Sequence, residues 1–396
     1  MKRIGLNSRV LITLLFVGAF AIGLQAQTPN DRIREVLIEK ATFQPSDLKE
    51  LDEGKIVVKA IPTNDKQIVS VFGAVRLKDI SAVPMEEFRA SLTQRSNRAM
   101  KGGGRFSVPP AADDLQGLEL EDKDYKVLKK CSVGDCDMNM SAEMIRRLGA
   151  EVDWNAADHK ERATVLFREM LLQYVRGYTS NGDGTLGQYA NRREIVDLAD
   201  AHRSLLASSL MIKDISPEIY GYFGEFPKKQ VARAESEMHW STVDFGLKPA
   251  ITITHTVAFD VSQNGLSRFI VANKQIYASR YLDASLSFTM LISSGVNDPG
   301  GYLIFTDRSR SDALDGMMSG IARSVVEKEA VEKVRGMLQN AELRMLAADR
   351  PKSDQPNAEI SGYSRINEIM SDPIFITAVV GVLGIAVLLI LRQRKA

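Results

Sequence analysis

The sequence predicts an α+β fold: an antiparallel sheet with a long C-terminal helix and a helical insertion, set between a signal peptide and a single transmembrane helix. Three observations carry this. KPAITITHTVAFDV (248–261) alternates with period two, Ile251, Ile253 and His255 on one face and Thr252, Thr254 and Thr256 on the other, the mark of a pleated strand. The stretch from Ser311 to Arg350 repeats Leu314, Met317, Met318, Ile321, Val325, Val334, Leu338 and Ala341 at helical spacing until Pro351 stops it. Apolar runs flanked by basic residues stand at the two ends of the chain.

The first of those runs follows Lys2, Arg3 and Arg9 and ends in Leu24-Gln25-Ala26. A basic start, a short apolar core and small cleavage-site residues predict a signal peptide over 1–26. The second, Ile374 to Leu391, is uncharged and long enough to span a bilayer, with Arg392, Arg394 and Lys395 behind it. By the positive-inside rule residues 392–396 are a cytoplasmic tail and everything before 374 is periplasmic or extracellular. The lipid bilayer is thus a partner through 374–391, reached by a polar linker over 349–373.

What lies between is long enough for one large or two ordinary domains. Charged residues at 26% and hydrophobic ones at 44% describe a globular chain. A net charge of +1 with interspersed signs provides no basic stripe, so a nucleic-acid partner is not expected.

Along the chain, an N-terminal α+β part covers 27–140. It holds a helix through Ile33, Val36, Leu37 and Ala41, a second turn from Ser46 to Gly54, and strands at 55–61 and 67–77 joined by Pro62, Asn64 and Asp65. Val69, Val71 and Gly73 alternate with Ser70, Phe72 and Ala74, so the second strand is expected to be covered on both faces. Pro84 opens a helix through Phe88 and Leu92. AMKGGGRFSVPPAADD reads as a loop; its glycines lack the flanking strand and helix that a phosphate cradle needs. A helical part, 141–235, follows, with apolar residues at Val165, Leu166, Met170, Leu171, Tyr174 and Val175, then at Ile195, Leu198, His202, Leu205 and Leu206. Strands and the long helix fill 236–348, with a break near Leu282-Asp283.

The stretches GRFSVPP, CSVGDCDMNM, EVDW, HWSTVDFGLKP, KQIYASRYLDASL and RSRSDAL together resemble a set of exported bacterial proteins over most of residues 45 to 345. That resemblance implies no activity. The strand with Val71-Phe72-Gly73-Ala74-Val75, the helix start at Pro84-Met85-Glu86, and late strands ending in one long helix are also similar to START-like helix-grip proteins. That resemblance implies a curved sheet gripping the helix around an apolar cavity for lipids or other hydrophobic molecules. The insertion at 141–235 and the lack of a tryptophan in the first helix depart from it.

Few residues point to chemistry. No G-x-S-x-G elbow, zinc-type histidine array or complete calcium loop is present, so no cofactor or metal is expected; Asn181, Asp183 and Gly184 lack the first and twelfth ligands. His255, aligned with Ile251 and Ile253, points into the core or into a cavity. Candidate ligand-binding residues are His255, Tyr277, Arg280, Tyr281, Asp283 and Arg308, the arginines with Arg310 and Asp312 forming either a network that ties sheet to helix or a polar rim for a head group. Three functions follow as expectations: a non-enzymatic binding module for a hydrophobic or lipid-like ligand, an enzyme assembled around His255 and Arg280, Arg308 and Arg310, or a structural envelope protein.

Cys131 and Cys136 are the two cysteines of the chain. Outside the cytoplasm they are expected to form a disulfide closing a tight loop through Gly134. The redox reading needs C-x-x-C, and the spacing differs. Cys136, Met138 and Met140 are soft ligands suited to Cu(I), while the two methionines equally fit a short half-buried strand.

Overall fold

In a computed structural model the described residues are 28–348, apart from 82, 85, 87, 89–99, 245–247, 264, 265, 267, 312, 313 and 315–318. The signal peptide, linker, transmembrane helix and tail, together with Leu92 and Asp312, lie outside them. Among the described residues no helix is long and apolar enough to cross a membrane.

The chain begins with α1 (Pro29–Ala41) and α2 (Pro45–Asp52). Each opens on a proline, and Thr28 caps the first by accepting from the Asp31 N–H, which satisfies a helix-end donor. Strands β1 (Val57–Ile61) and β2 (Ile68–Leu77) form a hairpin, and β3 (Met100–Arg105) follows. The insertion carries α3 (Asp122–Leu128), α4 (Ala142–Glu151), α5 (His159–Asn181), a two-stranded ribbon of β4 (Gln188–Tyr189) and β5 (Val196–Asp197), then α6 (Leu198–Ser208), α7 (Leu210–Ile215) and α8 (Pro217–Glu225). Strands β6 (Ala234–Val243), β7 (Ala250–Asp260), β8 (Arg268–Ala278), β9 (Ala284–Gly295) and β10 (Asp298–Arg310) lead to α9 (Ser319–Ala348).

The large sheet has eight strands in the order β1-β2-β10-β9-β8-β7-β6-β3, antiparallel throughout. The meander β6 to β10 forms its body. The hairpin β1–β2 joins one side of it and β3 crosses to the other, so strands from 27–140 and from 236–310 share one sheet.

Both faces are covered, as the run 69–75 predicted. One face receives α1, α2 and the insertion: Leu37, Phe43 and Leu51 pack with Phe72, Ala74 and Ile304, while Phe167, Leu171 and Val175 of α5 meet Ile251 and Ile253. The other face receives α9, whose Val326, Ala330, Val334 and Leu338 pack with Val58, Val69, Val71 and Val75. Each large aliphatic side chain buried this way contributes about 1.5–3 kcal/mol. Gly73 sets the closeness of α9, since a Cβ there would stand 2.7 Å from Leu338 Cδ1 and 2.9 Å from Val334 Cγ1. The long helix therefore rests directly on β2.

Three expectations change. The glycine-rich stretch is an edge strand: Gly104 pairs opposite Trp240 of β6, and the missing side chains make room for the indole across the strand. Val165 and Ile195 are exposed, at 56% and 61%, because Phe167 and Tyr178 complete the buried stripe of α5 and Asp197 caps α6 after Ile195. Met138 and Met140 are fully buried outside any strand, beside a Cys131–Cys136 disulfide with Cα atoms 4.6 Å apart.

Candidate functional site

Strand alternation divides the polar residues of the late strands between the two faces, and the predicted set does not come together. His255 lies on the insertion side of β7, fully buried against Phe226 at 4.6 Å between ring centroids. Its Nδ1 is 2.8 Å from the Tyr178 hydroxyl and its Nε2 is 2.8 Å from Ser236 Oγ. Burial, then the Lys274 charge, lowers its pKa to about 3. A serine bonded to an imidazole has the outline of a nucleophile–base pair. Here a hydroxyl rather than a carboxylate stands behind the ring, and burial disfavours the imidazolium that a base must become. The two bonds satisfy a buried neutral ring.

Tyr277 donates to the Asn139 carbonyl at 3.1 Å among the rings of Tyr174 and Tyr189. Arg280 donates to Asp124 of α3 at 2.5 Å and to the Pro249 carbonyl at 2.9 Å, both ends buried. Tyr281 has a left-handed φ of 72° and its hydroxyl meets the Lys248 backbone. Asp283, raised to about 6 by burial, faces Arg310 at 3.6 Å, and Arg310 reaches on to Asp65 and Gln67 in the β1–β2 turn. Arg308 points to the insertion side, 3.1 Å from Thr306 Oγ1, with its pKa lowered to about 10 by burial. Two of these arginines tie elements together: Arg280 binds the insertion and Arg310 binds the hairpin. Arg280 and Arg310 thus have the contacts of the network reading, whereas the hydrogen bond of Arg308 stays within β10, to Thr306.

Polar chemistry does concentrate on the other face. Thr256, Asn273, Ser287 and Asp307 stand side by side across β7, β8, β9 and β10, and Thr254, Gln275, Ser285 and Ser309 form the adjacent row. All eight are buried. Neighbouring strands are about 4.8 Å apart, so the two rows make a hydrogen-bonding tract roughly 15 Å wide. Part of it is internally satisfied. Thr256 donates to Asn273 Oδ1 at 2.8 Å, and Ser309 and Ser285 lie 2.8 and 3.2 Å from the two Asp307 oxygens. Burial raises Asp307 to about 7, opposed by those hydroxyls and by Arg308.

The rest is not satisfied. Thr254 Oγ1, Ser287 Oγ, and both Gln275 amide atoms are buried without a hydrogen-bond partner among the described residues. An orphaned buried polar group costs about 1–3 kcal/mol, so four such atoms on one patch call for a ligand or ordered water. Beyond the tract the same face turns apolar, with Val271 and Phe305, then Phe269, Leu291 and Leu303.

A β-bulge decides where the tract ends. Thr254 pairs with Gln275 and Ile253 with Tyr277, leaving Ile276 as the extra residue on β8. Strict alternation would place Tyr277 beside Gln275; the bulge turns it to the insertion side. In the sequence the tract is present as Thr-x-Thr, Asn-x-Gln, Ser-x-Ser and Asp-x-Ser. Each reads as the solvent face of a strand, so burial is the missing information.

Among the described residues no group of three or more His, Cys, Asp or Glu is placed to hold a metal ion. No protein-family model, curated protein or solved structure matches the chain.

Proposed function

We propose that the chain is an exported, membrane-tethered binding module that takes an amphipathic, lipid-like ligand on the α9 side of its sheet. The polar part of the ligand occupies the tract, where Gln275 supplies both a donor and an acceptor and Thr254 and Ser287 supply hydroxyls. Its apolar part lies toward Phe269, Leu291 and Phe305. The single observation behind this reading is the set of unpartnered polar atoms buried in one patch. A helix-grip relationship is part of the proposal: a broad antiparallel sheet carrying one 30-residue helix on one face is the arrangement that such folds use for hydrophobic ligands. Tethering at 374–391 would hold the module at a lipid surface.

The test is organic extraction and mass spectrometry of the purified full-length chain, beside a Thr254→Val/Gln275→Leu variant that keeps side-chain size and removes the hydrogen-bonding atoms. The expected result is a small molecule near one equivalent in the wild type and at least tenfold depleted in the variant. Equal content in the two proteins, or none in the wild type, overturns the reading.

A further inference from the structure

On the opposite face, away from the proposed tract, a cavity of about 120 Å³ lies between α6, α8 and the sheet, lined among others by Asp183, His202, Arg203, Leu206, Phe223 and Lys274. For comparison, an engineered cavity of about 150 Å³ admits benzene. Its depth is chemically unusual. Lys274 projects from the middle of β8 and is 2% exposed, and its ammonium pairs with Asp183 and lies 5.5 Å above the Tyr178 ring. His202, on the buried stripe of α6, is also 2% exposed, and neither ring nitrogen has a hydrogen-bond partner among the described residues.

Those two nitrogens separate this histidine from His255, where both are bonded. An imidazole in an apolar packing position is ordinarily anchored, since a bare ring nitrogen loses its water without compensation. Burial and the Lys274 charge keep the ring neutral, so it offers one N–H and one lone pair. The other walls are apolar: Leu206, Phe223 and Leu286. Arg203 and Gly224 are exposed, which places the opening between α6 and α8. Lys274 keeps N–H donors beyond its bond to Asp183, whereas Arg203 at the mouth pairs with Asp200, so an anion is recognised by the Lys274 and His202 donors, not by net charge.

We infer that this cavity is a second ligand site, selective for a small monocarboxylate whose head meets Lys274 and the His202 N–H while its short apolar body fills the space against Leu206, Phe223 and Leu286. The volume limits the ligand to about six heavy atoms, judged against the benzene-sized cavity. The Lys274–Asp183 pair fixes the ammonium at the floor. Removing that charge should therefore abolish head-group selectivity, not only affinity.

The experiment titrates sodium butyrate and, separately, n-butanol into the full-length chain, with saturation-transfer NMR and melting temperature as readouts. Saturable butyrate binding is expected, with n-butanol at least tenfold weaker. His202→Phe, which fills the cavity and removes both nitrogens, and Lys274→Met should each lose butyrate binding by at least tenfold. Ala199→Leu narrows the same cavity from the partly exposed side of α6 without touching the ion pair, and should also lose binding if a core variant fails to fold. Absence of saturable binding, equal affinity for the alcohol, or undiminished binding in Ala199→Leu overturns the inference. The tract on the other face is unaltered in these variants, so its extracted ligand should be retained throughout.

Discussion

Gly104 lies directly across from Trp240, and a Cβ on it would stand 2.6 Å from the indole Nε1. That nitrogen donates to the Asp114 carbonyl at 2.8 Å, and the ring is 2% exposed. Gly104→Ala must therefore move a buried ring and stretch its hydrogen bond, at a cost of about 1–3 kcal/mol. Gly102 is the internal comparison, because a Cβ there would meet the same ring at 4.0 Å, ordinary contact. Gly102→Ala should stay within about 0.5 kcal/mol of the wild type. Urea denaturation of the two variants checks the pair, and equal destabilisation would remove the glycine-for-indole explanation of β3. The glycines are visible in the sequence, but their partner is 136 positions away from Gly104 and reaches it only through strand pairing.

The Cys131–Cys136 loop is an element with more than one anchor. Gly134 and Cys136 donate backbone N–H groups to Ala190 and Asn191, both at 2.8 Å. Asn139, 1% exposed, donates its amide to the Ala278 and Leu282 carbonyls and accepts from Asn191. A disulfide across so short a loop restrains little of the unfolded chain and contributes about 2 kcal/mol or less. Replacing both cysteines with serine should thus lower stability by no more than that and leave the protein folded, as circular dichroism and urea denaturation would show. Thiol titration of the denatured, unreduced chain should find no free thiol; two free thiols would discard the clip. The cysteine spacing and the expectation of export made the pairing legible, whereas the docking of the loop on the sheet through Asn139 has no sequence signature.

The folded molecule as a whole buries titrating groups of both kinds, and their effects on stability oppose each other. Asp307 and Asp283 are raised to about 7 and about 6. Their contribution is fully present below the ordinary aspartate value near 3.8 and is lost as pH rises through the folded values. His255, lowered to about 3, and His202, lowered by burial, act the other way, with contributions present above the ordinary histidine value near 6.5 and lost as pH falls. Between pH 4 and 6.5 the two trends cancel in part. Asp307→Asn removes the largest falling limb, so its stability relative to the wild type should improve from pH 5 to pH 7.5. Urea midpoints at pH 4, 5, 6 and 7.5 measure this, and parallel profiles for the two proteins would contradict the assigned burial of Asp307.

The sequence by itself determined which segments become strands and helices in the late part of the chain, the cysteine pairing and the two-sided burial of β2, because period and local composition encode them directly. Only the tertiary structure decided which polar faces are interior. Thr254, Gln275 and Ser287 have the period-two pattern of a wetted strand, yet all three are buried in the fold. Tyr277 follows no alternation at all, because a single bulged residue, Ile276, reverses the face on which it emerges. His202 and His255 look alike as apolar-face histidines in the sequence, yet among the described residues His255 is bonded at both nitrogens and His202 at neither. Burial and pairing are properties of residues distant in the chain, so a site made of them exists only once the sheet has assembled.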